Sequence, residues 1–104
     1  MKKNPLSVFE EEAPEVASAF NQLISSLIKT QGLDAKTKQL LYIGMKIVTG
    51  DYIAVKYHVP MAKKAGASRD EIKDTVLMTL TVIGLKGITH TMSDVLEIYD
   101  NTEI

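Results

Sequence analysis

The chain has 104 residues, of which 45% are hydrophobic and 24% are charged, and its formal net charge is −1. This length predicts a single domain over residues 1–104, and the composition is typical of a globular protein. A net charge near zero gives no electrostatic reason to expect a nucleic acid or an anionic membrane as a partner. Because the chain has no cysteine, it has no disulfide, no thiolate metal site and no thiol redox chemistry of its own.

No segment of the sequence has the length and hydrophobicity of a membrane span. The longest apolar stretch, residues 75–88, is too short, and it is interrupted by threonine, glycine and lysine. The first five residues, MKKNP, lack the apolar run of a signal peptide. We therefore expect a cytoplasmic protein with no membrane partner.

The apolar residues recur with the helical period along the whole chain, and no segment alternates as a strand does. The spacing of Ser7 and Glu10 predicts a capping box, and Pro14 suits the first turn of a helix. This first helix carries an apolar stripe made of Val16, Phe20, Leu23, Ile24, Leu27 and Ile28. Gly32 is its predicted end.

Two further helices follow, each with a recognisable start or stop. Asp34 is the predicted N-cap of the second helix, and Gly50 is its predicted stop. The inward residues of this helix are Leu40, Ile43, Gly44, Ile47 and Val48. A third helix is predicted over about residues 51–65, before Gly66.

The fourth predicted helix begins with a capping box formed by Ser68 and Glu71. Its apolar residues are Val76, Leu77, Met78, Leu80, Val82, Ile83 and Leu85, and they surround most of the helix. A helix that is apolar on all sides must be covered on all sides. We therefore predict a homo-oligomer in which a second subunit covers this helix; a central helix wrapped within one subunit is the alternative.

A fifth helix has a predicted inner face of Ile88, Met92, Val95, Leu96 and Tyr99. With the preceding helices it predicts an all-α fold, a compact bundle of five to six helices. On the outer face, His90, Asp94 and Glu97 have the spacing i, i+4, i+7, which would suit a metal. Because they lie opposite the apolar stripe, a solvated face or a subunit contact is the better interpretation, and we expect no metal.

The third helix carries His58, one of only two histidines. At about 100° per residue, one face of this helix holds Asp51, Ala54, Val55, His58, Met61, Ala62 and Ala65. His58 is therefore predicted to point inward among alanines, beside either a closely packed helix or a hollow. An imidazole beside a hollow is a candidate general acid or base. A core histidine satisfied by backbone or water is the structural alternative.

Two features near His58 add to this hypothesis. Pro60 lies within one turn and is expected to bend the helix. On the second helix, Gln39, Tyr42 and Lys46 share one side. If that side faces His58, an amide, a phenol, an ammonium and an imidazole meet in one site; a solvated helix edge is the alternative.

Several short strings in this region occur together. They are LDAKTKQLL at 33–41, YHV at 57–59, AGA at 65–67 and RDEI at 69–72, together with Ala62 and Gly84. In this combination the chain resembles, over about residues 15–95, the carboxymuconolactone decarboxylase family, which includes the alkylhydroperoxidase D-like proteins. The resemblance implies an all-helical fold that assembles as trimers or hexamers.

The peroxidase branch of that family uses a Cys-x-x-Cys-x-x-x-His string with a glutamate upstream as a proton relay. The matching positions here are Asp51, Ala54 and His58, with Gln39 in place of the glutamate. A disulfide cycle needs a thiolate nucleophile and a resolving thiol. This chain therefore cannot perform the peroxidase reaction with its own residues.

The lactone decarboxylase branch needs no cysteine. Its reaction must stabilise the negative charge left by departing carbon dioxide and then protonate a carbon. The resemblance implies that His58 donates this proton, with Lys46 or Tyr42 as an electrostatic partner. We therefore predict a cofactor-free enzyme, of the lyase type, acting on a small organic acid or lactone. The alternatives are a non-catalytic oligomeric protein that binds a small molecule or another protein, and a peroxidase whose thiols come from a partner.

Overall fold

The computed structural model describes residues 4–104, and their regular structure is helical throughout. Its elements are α1 (Pro5–Glu12), α2 (Pro14–Lys29), α3 (Ala35–Thr49), α4 (Tyr52–Lys64), α5 (Arg69–Met78), α6 (Leu80–Ile83), α7 (Leu85–Gly87), a π-helical turn (Ile88–Met92) and α8 (Ser93–Asn101). Within the described residues, six of these helices have eight or more residues, which confirms the all-α prediction.

The described chain forms two compact units, one ending at Gly32 and one comprising Leu33–Ile104. The predicted single domain over residues 1–104 includes residues 1–3, which lie outside the described residues. Among residues 4–104, no helix combines the length and hydrophobicity needed to cross a bilayer.

In the first unit, α1 begins earlier than its capping signal suggested. The side chain of Asn4 accepts a hydrogen bond from the backbone N–H of Leu6 at 2.8 Å. The predicted capping box of Ser7 and Glu10 is therefore wrong, because both residues already lie inside α1. Asn4 caps the helix one turn sooner, and the proline that follows it suits the first helical position.

The second helix of this unit begins with Pro14, as predicted, and ends at Lys29, three residues before Gly32. It ends there because Thr30 takes an extended conformation, and its hydroxyl donates to the Leu27 carbonyl at 2.9 Å. The apolar stripe predicted along α2 is exposed at every position.

The second unit has its core between α3, α4, α5 and α8. The buried side chains are Ile43, Ile47, Val55, Val59, Ala62, Ala67, Ile72, Val76 and Val95. Asp34 caps α3 by accepting from the Thr37 N–H at 2.8 Å, and Gly50 ends the helix in the left-handed conformation with φ 81°. Both boundaries confirm the prediction for this helix.

The fourth predicted helix begins correctly and is then interrupted. Ser68 and Glu71 form the predicted capping box, with hydrogen bonds of 3.1 and 2.8 Å. The regular helix nevertheless stops after Met78, and Gly84 takes φ 62° and ψ −146°, outside any helical conformation. The single long helix is therefore wrong, because Gly84 adopts a conformation that separates α6 from α7.

Three apolar side chains of this segment are exposed. Met78 is 65% exposed, Val82 66% and Leu85 69%. Val76 is fully buried and Ile83 packs against the core, so the described residues cover this segment only in part. The last predicted helix begins as the π-helical turn and continues as α8, with Val95 buried and Met92 and Tyr99 packed against the core.

Candidate functional site

The candidate site lies on α3 and α4, which are joined by the two-residue connection Gly50–Asp51. The buried Ile43 and Ile47 on α3 and the buried Val55 and Val59 on α4 belong to one core. Packing these side chains together also fixes which side of α3 faces which side of α4. Polar residues on the flank of α3 are thereby brought against the flank of α4.

Gln39 contacts His58 directly across this helix pair. Its side-chain oxygen Oε1 lies 2.8 Å from Nδ1 of the imidazole. Which of the two groups donates in this hydrogen bond depends on which ring nitrogen of His58 carries the proton.

Tyr42 covers one face of the same imidazole. The two ring centroids are 4.2 Å apart, and the ring planes are tilted by 38°. This contact removes part of the imidazole from water, and His58 is half-buried. Burial lowers the pKa of His58, and the nearby charge of Lys46 lowers it further. His58 therefore rests in the neutral form near pH 7.

Lys46 and Asp51 form an ion pair at the end of α3. Their Nζ and Oδ2 atoms are 3.2 Å apart, and Nζ lies 5.4 Å from the centroid of the Tyr42 ring. The hydrogen bond to Asp51 and the nearby Tyr42 raise the pKa of Lys46. Lys46 therefore stays a cation beside the Tyr42 ring.

Asp51 and Ala54 have local structural roles. The other carboxylate oxygen of Asp51 accepts from the backbone N–H of Ala54 at 3.2 Å and so caps α4. This N–H and then Lys46 lower the pKa of Asp51, which keeps it ionised. The side chain of Ala54 carries no chemical group, so its part in the site is limited to shape.

The inward face of α4 differs from the predicted one. Val55, Val59 and Ala62 are fully buried, whereas Met61 is 47% exposed. The buried face of α4 therefore includes Val59, which the predicted face omitted. His58 lies at the edge of the buried face. The helix continues through Pro60 to Lys64.

The second histidine belongs to a separate cluster. His90 stacks on Tyr52 with ring centroids 5.2 Å apart, and Asp94 pairs with Lys56 at 3.5 Å. Glu97 lies on the exposed surface of α8. Across residues 4–104, no group of three histidine or acidic side chains is arranged to hold a metal ion.

An open apolar groove lies elsewhere in the second unit. It runs between α3 and the α5–α6 segment, has a volume of about 670 Å³, and does not include His58. Its larger apolar side chains are Leu40, Leu41, Met45, Val48, Met78 and Val82. The sequence analysis did not identify this groove, although the i, i+4, i+7 spacing of Leu41, Met45 and Val48 indicates it.

Comparison with known proteins identifies the relatives of this helix arrangement. The sequence profile of the carboxymuconolactone decarboxylase family matches residues 14–93, which include the whole of α3 and α4. The chain belongs to the carboxymuconolactone decarboxylase family. Membership confirms the resemblance on which the sequence analysis depended.

Two relatives extend this result. An uncharacterized protein of Methanocaldococcus jannaschii is 26% identical over 88 residues, covering 84% of this chain and 85% of the relative. A crystal structure of a protein from Burkholderia xenovorans, provisionally described as a carboxymuconolactone decarboxylase, superposes with a TM-score of 0.86. It covers 95% of this chain and 77% of the other, at 22% identity. This structural similarity confirms the all-helical fold of the chain.

Proposed function

We propose that this member of the carboxymuconolactone decarboxylase family is a cofactor-free acid–base enzyme for a small organic acid or lactone. His58 carries the proton. The observation that supports this role is the half-buried imidazole whose Nδ1 is held by Gln39 at 2.8 Å. A proton carrier needs one fixed nitrogen and one nitrogen free to react, and this contact supplies both.

Decarboxylation is the reaction that this site would serve in a lactone acid. The bond to the carboxylate carbon breaks, carbon dioxide leaves, and the electron pair stays on the substrate as an enolate. The imidazolium of His58 then gives its proton to carbon and returns to the neutral form, to be reprotonated from water. We propose that the Lys46 ammonium, 5.4 Å from the centroid of the Tyr42 ring, and Tyr42, whose ring lies against His58, stabilise the transient negative charge.

A pair of histidine variants tests this proposal. His58→Gln and His90→Gln are compared with the unchanged protein on a panel of small lactones and carboxylic acids, with carbon dioxide release and loss of ultraviolet absorbance as readouts. We expect turnover to fall by about 100-fold or more in His58→Gln and to be unchanged in His90→Gln. Melting temperatures show whether both variants fold. Full activity in a folded His58→Gln protein would refute the role of His58.

A non-catalytic binding protein is the second candidate, and one observation favours it. The polar groups of the site already pair with one another, Gln39 with His58 and Lys46 with Asp51. Such a site keeps its geometry without turning over a substrate. Titration of the same compound panel, followed by NMR signals of His58, separates the two candidates: saturable binding without any turnover supports the binding protein.

We also infer that the chain assembles with copies of itself, as a trimer or a hexamer. The support is the exposed apolar surface of the α5–α7 segment, where Val82 and Leu85 are both more than 60% exposed. Light scattering at micromolar concentration tests this. Val82→Ser should shift the protein toward smaller species, whereas the same type of change at Ile104, which is 81% exposed at the end of the chain, should not. A monomeric unchanged protein would refute the inference.

A further inference from the structure

We infer that Gln39 is a positioning residue that fixes His58 in the tautomer with the proton on Nδ1, so that Nε2 is the nitrogen that carries the catalytic proton. The tautomer follows from the contact between the two side chains alone. The use of Nε2 as the proton-carrying nitrogen in catalysis rests on the proposed function. The two parts of the inference are therefore tested separately.

The tautomer is inferred from the atom that Nδ1 contacts, because a carboxamide oxygen only accepts hydrogen bonds. Oε1 of Gln39 lies 2.8 Å from Nδ1 across a separation of 19 residues in sequence. The amide is neutral at every accessible pH, so it orients the ring without strongly favouring the imidazolium. A carboxylate at the same place would attract the charged ring and favour its protonation. Gln39 therefore holds the ring in place and leaves it neutral.

The charged and titratable groups around the imidazole also favour its neutral form. Lys46 on α3 is the cation that lowers the pKa of His58, after the larger effect of burial. Asp51, at the start of α4, is paired with that lysine at 3.2 Å. Tyr42 contributes a neutral ring against the imidazole. The resting state expected from these neighbours is a neutral ring with its lone pair on Nε2.

NMR of the histidine ring nitrogens tests the tautomer without any substrate. The chain provides an internal reference, because Nδ1 of His90 lies 2.8 Å from the backbone carbonyl of Lys86, which only accepts. We expect the Nδ1-protonated pattern for both rings at pH 8. A His58 ring protonated on Nε2 instead would mean that the amide of Gln39 donates to Nδ1, and would overturn the inference.

Two variants of Gln39 separate its effect on the His58 tautomer from the effect of a charge at position 39. Gln39→Glu keeps an acceptor at Nδ1 and adds a negative charge, so the tautomer should persist while the titration midpoint of His58 moves up by about one pH unit or more. Gln39→Met has similar size and no acceptor, so the preference for Nδ1 should be lost. Signals of His90 should stay unchanged in both. An unchanged His58 tautomer in a folded Gln39→Met protein would show that Gln39 does not fix it.

The catalytic consequence is read from the pH dependence of turnover. Because the proposed step needs the imidazolium, kcat/KM should fall as the pH rises through the His58 midpoint measured by NMR, and Gln39→Glu should move this fall to higher pH by the same amount. Turnover that falls on acidification instead would overturn proton donation from Nε2 while leaving His58 as a base. If no compound on the panel is turned over, the proposed function fails, whereas the NMR tautomer still decides whether Gln39 positions His58.

Discussion

Replacing Gly87 with alanine tests the packing of the short helix α7 against α3. A β-carbon at this position would lie 3.0 Å from Cγ2 of Ile47 and would overlap the hydroxyl of Thr79. Neither neighbour has room to retreat, because Ile47 is fully buried and the Thr79 hydroxyl donates to the Val76 carbonyl at 2.6 Å. Overpacking of this kind costs about 1–3 kcal/mol, and the better helix propensity of alanine offsets up to about 1 kcal/mol. We expect a net loss of about 1–2 kcal/mol.

Urea unfolding followed by circular dichroism, at one fixed protein concentration, measures this loss. The matched control is Gly44→Ala on α3, where the new β-carbon meets Cγ2 of Thr75 at an ordinary 3.7 Å. This control should be more stable by about 0.5–1 kcal/mol. Adding Thr79→Ala to the Gly87→Ala protein should recover part of the loss, because it removes the overlapping hydroxyl. Equal stability of the two single alanine variants would refute the packing argument.

Three further outcomes follow from the same structure. Gly84→Ala should lower the free energy of unfolding by about 1–3 kcal/mol in the same urea assay, since its backbone conformation favours glycine. Ser68→Ala removes a helix cap and should cost about 1 kcal/mol, whereas Ser7→Ala, inside α1, should change stability by less than about 0.5 kcal/mol. Because the folded pKa of His58 lies below its ordinary value of 6.5, the unfolded chain binds more protons there. Melting temperature should therefore fall on acidification below about pH 7, and less steeply in His58→Gln.

The helix boundaries that were predictable from sequence are those with a single strong signal. Asp34, Gly50 and the Ser68 capping box each have the expected geometry. The start of α1 was not predictable in this way, because Asn4 and Ser7 are both good caps and only the structure shows which one is used. The break at Gly84 was missed because it lies within an apolar run, where hydrophobicity alone favours a continuous helix.

The candidate site was predictable as a set of residues and not as a geometry. Spacing alone put Gln39, Tyr42 and Lys46 on one side of a helix. Their distances to His58 depend on how α3 and α4 rotate against each other, and the predicted inward face of α4 omitted the buried Val59. A helix rotation of one residue is about 100°, which is enough to change which ring nitrogen meets the amide. The cytoplasmic location stays a prediction.

The short connection between α3 and α4 controls the electrostatics of the site as well as its geometry. Asp51 stands at this connection, where it caps α4 through Ala54 and holds the ammonium of Lys46. That ammonium is also the charge that lowers the pKa of His58. Pairing with a carboxylate weakens the effect of the cation on the imidazole, because the two charges oppose each other at His58. The residue that caps α4 therefore moderates the protonation of the histidine two turns further along the chain.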